Sequence, residues 1–234
     1  MCAFAESEDP YCLRAGESAR LLAGHPWRRF AVVGDSVAEG LAEPVPGYSE
    51  VQLADRIAGE LSAAAPDLEY LNLGHRGLRT REIRDRQLGS ALDFRPDLAL
   101  VVCGGNDAFP ATYRPDAVDT ELRAMITALR AAGADVITVG LYNVSYSPSP
   151  EIADWLRPGL RRRMQTLSEH TAAIAAELGT LHLNLTAHPA GTDPRMFSSD
   201  GRHGNARSDA IAVAEAVRLL GAHLAATRQH ASGT

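Results

Sequence analysis

The sequence predicts an α/β protein, a three-layer α/β/α sandwich on a five-stranded parallel sheet. Three observations carry this. Five short apolar runs recur along the chain; most are unbroken, as in strands buried on both faces, rather than alternating; and the segments between several of them have helical periodicity. The strand-like runs are "RFAVVG" (29–34), "LEYLNLG" (68–74), "DLALVVCG" (97–104), "DVITVGLY" (135–142) and "LHLNLTA" (181–187). The first helix, "SEVQLADRIAGELSAAA" (49–65), puts Val51, Leu53, Ala54, Ile57, Ala58 and Leu61 on one face. "PDAVDTELRAMITALRAAG" (115–133) repeats the pattern and ends at Gly133, and "LRPGLRRRMQTLSEHTAAIAAELG" (156–179) ends at Gly179. Glycine suits both ends because a helix often stops in a left-handed residue. "ARSDAIAVAEAVRLLGAHLAATR" (206–228) closes the chain. Strand and helix alternating in this way give a parallel sheet covered on both faces. One domain is expected over 14–228, with loosely held tails at 1–13 and 229–234.

Composition narrows the chemistry. All 23 basic residues are arginine. Without lysine there is no Schiff base, no P-loop or kinase lysine and no Ser-Lys dyad. The net charge of −6 argues against a general nucleic-acid surface. No apolar run reaches ~18 residues, so no membrane-spanning helix is expected. The opening "MCAFAESEDPYC" is acidic and does not read as a secretory signal. Cys2, Cys12 and Cys103 form no zinc-binding spacing and no disulfide framework, which suggests a reducing, cytoplasmic setting. The histidines have no ligand-like spacing either, so neither a metal nor a cofactor is expected. Cys103, inside a strand, is expected to pack.

In open parallel sheets ligands bind beyond the carboxyl ends of the strands. The residues there are Gly34-Asp35-Ser36, Gly74-His75-Arg76-Gly77, Gly104-Gly105-Asn106-Asp107, Tyr142-Asn143 and the loop from Ala187 to Asn205. Together they hold the parts of a serine hydrolase. Ser36 stands at a strand-to-helix turn. Gly74 offers a backbone N–H, and Asn106 a side-chain amide, to a developing oxyanion. Asp200 and His203 are three apart in "SSDGRH", so the carboxylate can turn back to Nδ1 and leave Nε2 facing another strand end. Each residue also has a plainer reading. Ser36 and Glu39 match a helix capping box, Asn106-Asp107 a turn, and Asp200 and His203 loop polarity.

The ordered set resembles the GDSL-type, or SGNH, hydrolase family. "GDSVAEG" matches its first block, "NLGHRG" with Asn72 and Gly74 its second, "GGND" with Asn106 its third and "DGRH" its last. The resemblance runs from residue 30 to about 220. It implies a flavodoxin-like SGNH fold, with Ser36 as nucleophile, His203 as general base and acid, and Asp200 as its orienter. It also implies an oxyanion hole made by the Ser36 and Gly74 N–H groups and the Asn106 amide. Gly204 stands where the family often has proline, and His75 and Arg76 where it often has small residues.

The expected partner is a small-molecule ester or thioester, with no nucleic acid and no membrane. The expected reaction is hydrolysis through an acyl-Ser36 intermediate; acyl transfer to an alcohol or amine and a non-catalytic binding module are the rivals. His75, Arg76, Tyr142, Tyr146 and Trp155 are candidates for the substrate pocket, whose aromatic, proline-rich loops suit an apolar acyl group. The cluster "RPGLRRRM" (157–164) reads either as a solvated helix face or as a grip on an anion.

Overall fold

A computed structural model describes residues 5–232, so Cys2 lies outside the described residues. Five strands form one sheet: β1 (Arg29–Gly34), β2 (Glu69–Asn72), β3 (Leu98–Val102), β4 (Asp135–Gly140) and β5 (Leu181–Asn184). Their order is β2-β1-β3-β4-β5 and every pairing is parallel. The chain therefore reverses direction across the sheet between β1 and β3, and the crevice at such a switch point is where ligands bind.

Eight α-helices occur among the described residues: α1 (Glu17–Leu21), α2 (Ser36–Glu39), α3 (Leu53–Ala64), α4 (Thr80–Asp93), α5 (Gly105–Ala108), α6 (Pro115–Ala131), α7 (Arg157–Glu177) and α8 (Ala206–Ser232). Period-two alternation along the strands splits the core into two layers. Phe30, Val32, Leu98, Leu100 and Ile137 meet Leu53, Ile57 and Leu61 of α3 and Val213, Val217 and Leu220 of α8. Val33, Ala99, Val101 and Val136 meet Ile83 of α4, Leu122, Met125 and Ile126 of α6, and Ile174 of α7. Each large aliphatic side chain fully buried in these layers contributes about 1.5–3 kcal/mol.

Three expectations change. Residues 5–13 are not a loose tail. Asp9 and Cys12 are fully buried, and Asp9 receives hydrogen bonds from Arg207 Nε (2.7 Å) and the Tyr48 hydroxyl (2.8 Å). Burial alone would raise the Asp9 pKa, but these partners hold it below the ordinary value. At the other end α8 continues to Ser232, taking in most of the expected tail. α8 is also long and apolar enough to cross a membrane by length and composition, yet its Val213, Val217 and Leu220 are buried in the core.

Candidate active site

The first strand delivers its turn under tight control. Gly34, at the end of β1, is bracketed by Gln87 of α4. Gln87 Oε1 accepts the Gly34 N–H at 2.8 Å and Gln87 Nε2 donates to the Gly34 carbonyl at 2.9 Å. Asp35 then caps α2, its Oδ1 accepting the Val37 N–H at 3.1 Å. The cap is thus Asp35, and Ser36, the first helical residue, keeps its hydroxyl for another partner. That partner is His203, whose Nε2 lies 2.8 Å from Ser36 Oγ. Glu39 forms no capping box. Its carboxylate takes the Arg76 guanidinium, with Nη2 at 2.8 Å, and accepts the Arg76 backbone N–H.

The last loop supplies the imidazole. Asp200 Oδ1 accepts the N–H groups of Arg202 (2.9 Å) and His203 (3.1 Å), and Oδ2 lies 2.5 Å from His203 Nδ1. One carboxylate therefore shapes the turn and orients the ring. Burial pushes the Asp200 carboxyl up, but the hydrogen bonds from His203 and the two N–H groups outweigh it, leaving the pKa below its usual value. The Ser198 hydroxyl, donating to the Gly204 carbonyl at 2.5 Å, closes the loop. α8 begins two residues further on.

Asn106 is in the four-residue α5 after β3, and its Nδ2 donates to the Leu78 carbonyl at 2.9 Å. An amide nitrogen carries two protons, so one remains available. Asp107 beside it accepts both the Thr80 N–H (2.9 Å) and the Thr80 hydroxyl (2.8 Å). The pair thus secures the 77–80 segment at the start of α4.

Gly74 departs from expectation. Its N–H donates to Asn72 Oδ1 at 2.9 Å, while Asn72 Nδ2 donates to the Ala38 carbonyl at 2.7 Å. A Cβ at Gly74 would fall 2.4 Å from the Glu39 nitrogen. The Asn-x-Gly pattern is therefore a clamp between the end of β2 and α2, and this N–H does not face the cleft. Gly77, three residues later, lines the cleft beside Asn106. Its φ of +79° favours glycine. The signal that could have found Gly77 was in view, a second glycine in "NLGHRG".

Ser36, His203, Asn106 and Gly77 open on one cavity of about 340 Å³. Leu41, Leu53, Leu141, Met164, Leu185 and Phe197 give it apolar walls. Of the expected pocket residues, Arg76 and Tyr142 line it. His75 points away and bonds the Arg76 carbonyl. Tyr146 lies under the Arg161 guanidinium, 4.3 Å from its ring centre, in a different depression. Trp155 is 80% exposed. Two carboxyls on the wall were not anticipated as pocket residues. Burial pushes Asp35 up to about 6 and Asp209 up to about 7. Asp209 Oδ2 accepts the Leu53 N–H at the start of α3 (2.9 Å). Burial also drives the Cys103 thiol far up, and the residue packs in the core.

Arginines of the 157–163 cluster are tied into the fold. Arg157 binds the carbonyls of Ser145, Ser147 and Ser149. Arg163 binds those of Ala108 (2.8 Å) and Phe109 (2.7 Å). They pin to α7 the loops that follow β4 and α5.

Residues 32–211 match the GDSL-like lipase/acylhydrolase family, and the chain belongs to that family. It is accordingly an enzyme of the GDSL/SGNH esterase type, on the SGNH hydrolase fold. Among solved structures it is similar to an acetylxylan esterase from Geobacillus stearothermophilus, at 18% identity and a TM-score of 0.66, over 85% of this chain and 95% of that one. It is also similar to a lipase/acylhydrolase from Enterococcus faecalis, at 22% identity and a TM-score of 0.65, over 84% and 96% of the two chains. A third likeness is to TesA, at 21% identity and a TM-score of 0.63, over 82% and 98%. No curated protein matches.

Proposed function

We propose that the protein hydrolyses a small carboxylic ester or thioester through an acyl-Ser36 intermediate. The carrying observation is the relay in which His203 stands 2.8 Å from Ser36 Oγ and 2.5 Å from Asp200 Oδ2. His203 Nε2 takes the Ser36 proton as Oγ attacks the carbonyl carbon. The imidazolium, held by Asp200, then protonates the leaving oxygen or sulfur. Water activated by His203 attacks the acyl-enzyme, and the proton returns to Ser36. The negative charge on the tetrahedral oxygen falls to the Ser36 N–H at the start of α2, the free proton of Asn106 Nδ2 and the Gly77 N–H, in place of Gly74.

The apolar cavity favours an uncharged acyl chain or ring, and the sparse cysteines favour a cytoplasmic setting. Arg76 and Tyr142 are the pocket candidates that line the cavity. Acyl transfer to an alcohol or amine uses the same acyl-enzyme. Product analysis with such acceptors competing against water separates it from hydrolysis.

The test is a panel of 4-nitrophenyl esters of rising acyl length, with acyl-CoA thioesters beside them, combined with fluorophosphonate labelling. Wild type should turn over some member and be labelled at Ser36. Ser36→Ala should lose both with an unchanged melting curve. Turnover retained by Ser36→Ala would refute the assignment.

A further inference from the structure

We infer that the Arg202 guanidinium recognises an anionic substituent, a carboxylate or a phosphate, on the alcohol side of the ester. The inference rests on the reading of Ser36 as nucleophile and His203 as acid and base.

Two arginines line the cavity, Arg76 and Arg202, and their guanidinium groups differ in one respect. Arg76 is neutralised by Glu39, with Nη2 2.8 Å from Oε1. The Arg202 backbone N–H goes to Asp200, but its guanidinium has neither a hydrogen bond nor an ion pair among the described residues. What holds it is the Phe109 ring, whose centre lies 4.6 Å from Cζ. A ring under a guanidinium occupies one face of the planar cation. The N–H donors lie in the plane and stay unpaired, in the fork that grips a carboxylate or phosphate through two parallel bonds.

Phe109 packs on the cluster of Ala108, Leu160 and Met164, and its backbone is held. Arg163 of α7 holds the carbonyls of Ala108 and Phe109 from beneath. The stack therefore joins the loop that carries His203 to the α5 segment that carries Asn106, across the cleft.

The alcohol side is taken from the order of the loop residues, and the succinate ester below tests it. His203 must reach the departing oxygen, so the alcohol lies on the His203 side, with the carbonyl oxygen turned toward Asn106 and Gly77. Arg202 directly precedes His203. Elsewhere the wall carries the carboxyls of Asp35 and Asp209, which repel an anion once ionised. Arg202 is left as the group able to take one.

The experiment compares kcat/KM for phenyl acetate, 4-acetoxybenzoate and 4-acetoxyphenyl phosphate in wild type, Arg202→Gln and Arg202→Lys. A 4-nitrophenyl butyrate and mono-4-nitrophenyl succinate pair carries the charge on the acyl side instead. The readout is the anionic-to-neutral ratio, in which the intrinsic reactivity of each ester cancels between wild type and variant. Arg202→Gln should lower the alcohol-side ratio about tenfold, mainly through KM, as expected for one charge-assisted pair at a partly open site. Arg202→Lys should recover part of it. The carboxylate and phosphate arms identify which anion the fork prefers. Alcohol-side ratios unchanged in Arg202→Gln, or a change confined to the succinate ester, would overturn the inference while leaving the esterase reading intact. Wild type with no turnover of any ester and no labelling of Ser36 would overturn both.

Discussion

Asp200 offers a sharp test because its two oxygens do different work. Oδ1 accepts two backbone N–H groups, at 2.9 and 3.1 Å, and Oδ2 alone faces His203 Nδ1 at 2.5 Å. Asparagine keeps the shape but has one acceptor oxygen and one donor amide. If its oxygen takes the position of Oδ1, both backbone bonds survive, and the NH₂ meets the imidazole. The reverse orientation turns the NH₂ on two N–H donors and forfeits both bonds, at about 1 kcal/mol each before their repulsion is counted. The first orientation therefore dominates. It makes Nδ1 an acceptor, puts the proton on Nε2 and leaves His203 unable to accept from Ser36. Asp200→Ala removes the orienting charge and both turn bonds, but it does not impose the wrong tautomer. The Asp200 side chain is 48% exposed, so solvent screens that charge, and the loss should be about tenfold in kcat, at the low end for a charged hydrogen bond. Asp200→Asn should lose about 10⁴, the penalty seen when a triad aspartate is replaced by its amide. The assay is kcat for 4-nitrophenyl acetate in both variants, with ¹⁵N NMR of the imidazole to read the tautomer. Asp200→Asn as active as Asp200→Ala, or retaining the Nδ1–H tautomer, refutes the reasoning.

Three further outcomes are expected. Asn106→Ala should lower kcat by about 10²–10³ with little change in KM, since the lost bond forms in the transition state; an equal loss in KM alone would count against an oxyanion role. Gln87→Leu strands the buried Gly34 N–H and should lower stability by about 1–3 kcal/mol in urea unfolding, and a change below about 0.5 kcal/mol would contradict the bracket described for β1. Asp209 has a folded pKa of about 7 against 3.8 unperturbed, so the folded chain holds its proton more tightly, and stability falls as pH rises from about 4 to about 7. Asp209→Asn, which keeps an acceptor for the Leu53 N–H, should flatten that fall by at most about 4 kcal/mol; unchanged pH dependence of the urea midpoint would refute it.

The strands were legible because burial on both faces leaves continuous apolar runs, and β1 is found at 29–34 as expected. The other runs overshoot at their carboxyl ends, where Leu73, Leu141 and Leu185 remain apolar but belong to loops packed on the core. Helix α4 was not legible. "TREIRDRQLGSALD" is heavily charged, and its buried face includes Thr80 and Gln87 with Ile83 and Ala91. A polar residue on an inward face breaks the stripe by which a helix is recognised. Gln87 is buried for the backbone of Gly34, a long-range partner that no local pattern announces. The packed segment 5–13 was hidden for a similar reason. It is acidic, and the buried Asp9 is met by Tyr48 and by Arg207, far along the chain.

The same distinction explains which parts of the site could be read. Its motifs mix residues available for chemistry with residues occupied by the backbone, and composition does not tell them apart. In "GDS", Asp35 is spent on the Val37 N–H, which leaves Ser36 to His203. In "NLGHRG", Asn72 is spent on Gly74 and Ala38, which moves the candidate donor to Gly77. In "GGND", Asp107 is spent on Thr80, and Asn106 keeps one proton free. In "DGRH", Asp200 does both jobs at once. Stabilising an oxyanion requires donors fixed before the charge appears. The side chains that fix them form hydrogen bonds to backbone atoms, so they resemble caps and turns when read locally. A cap and a catalyst are therefore not alternatives at this sheet edge. Asp35 provides the first, and Ser36, freed by it, is the candidate for the second.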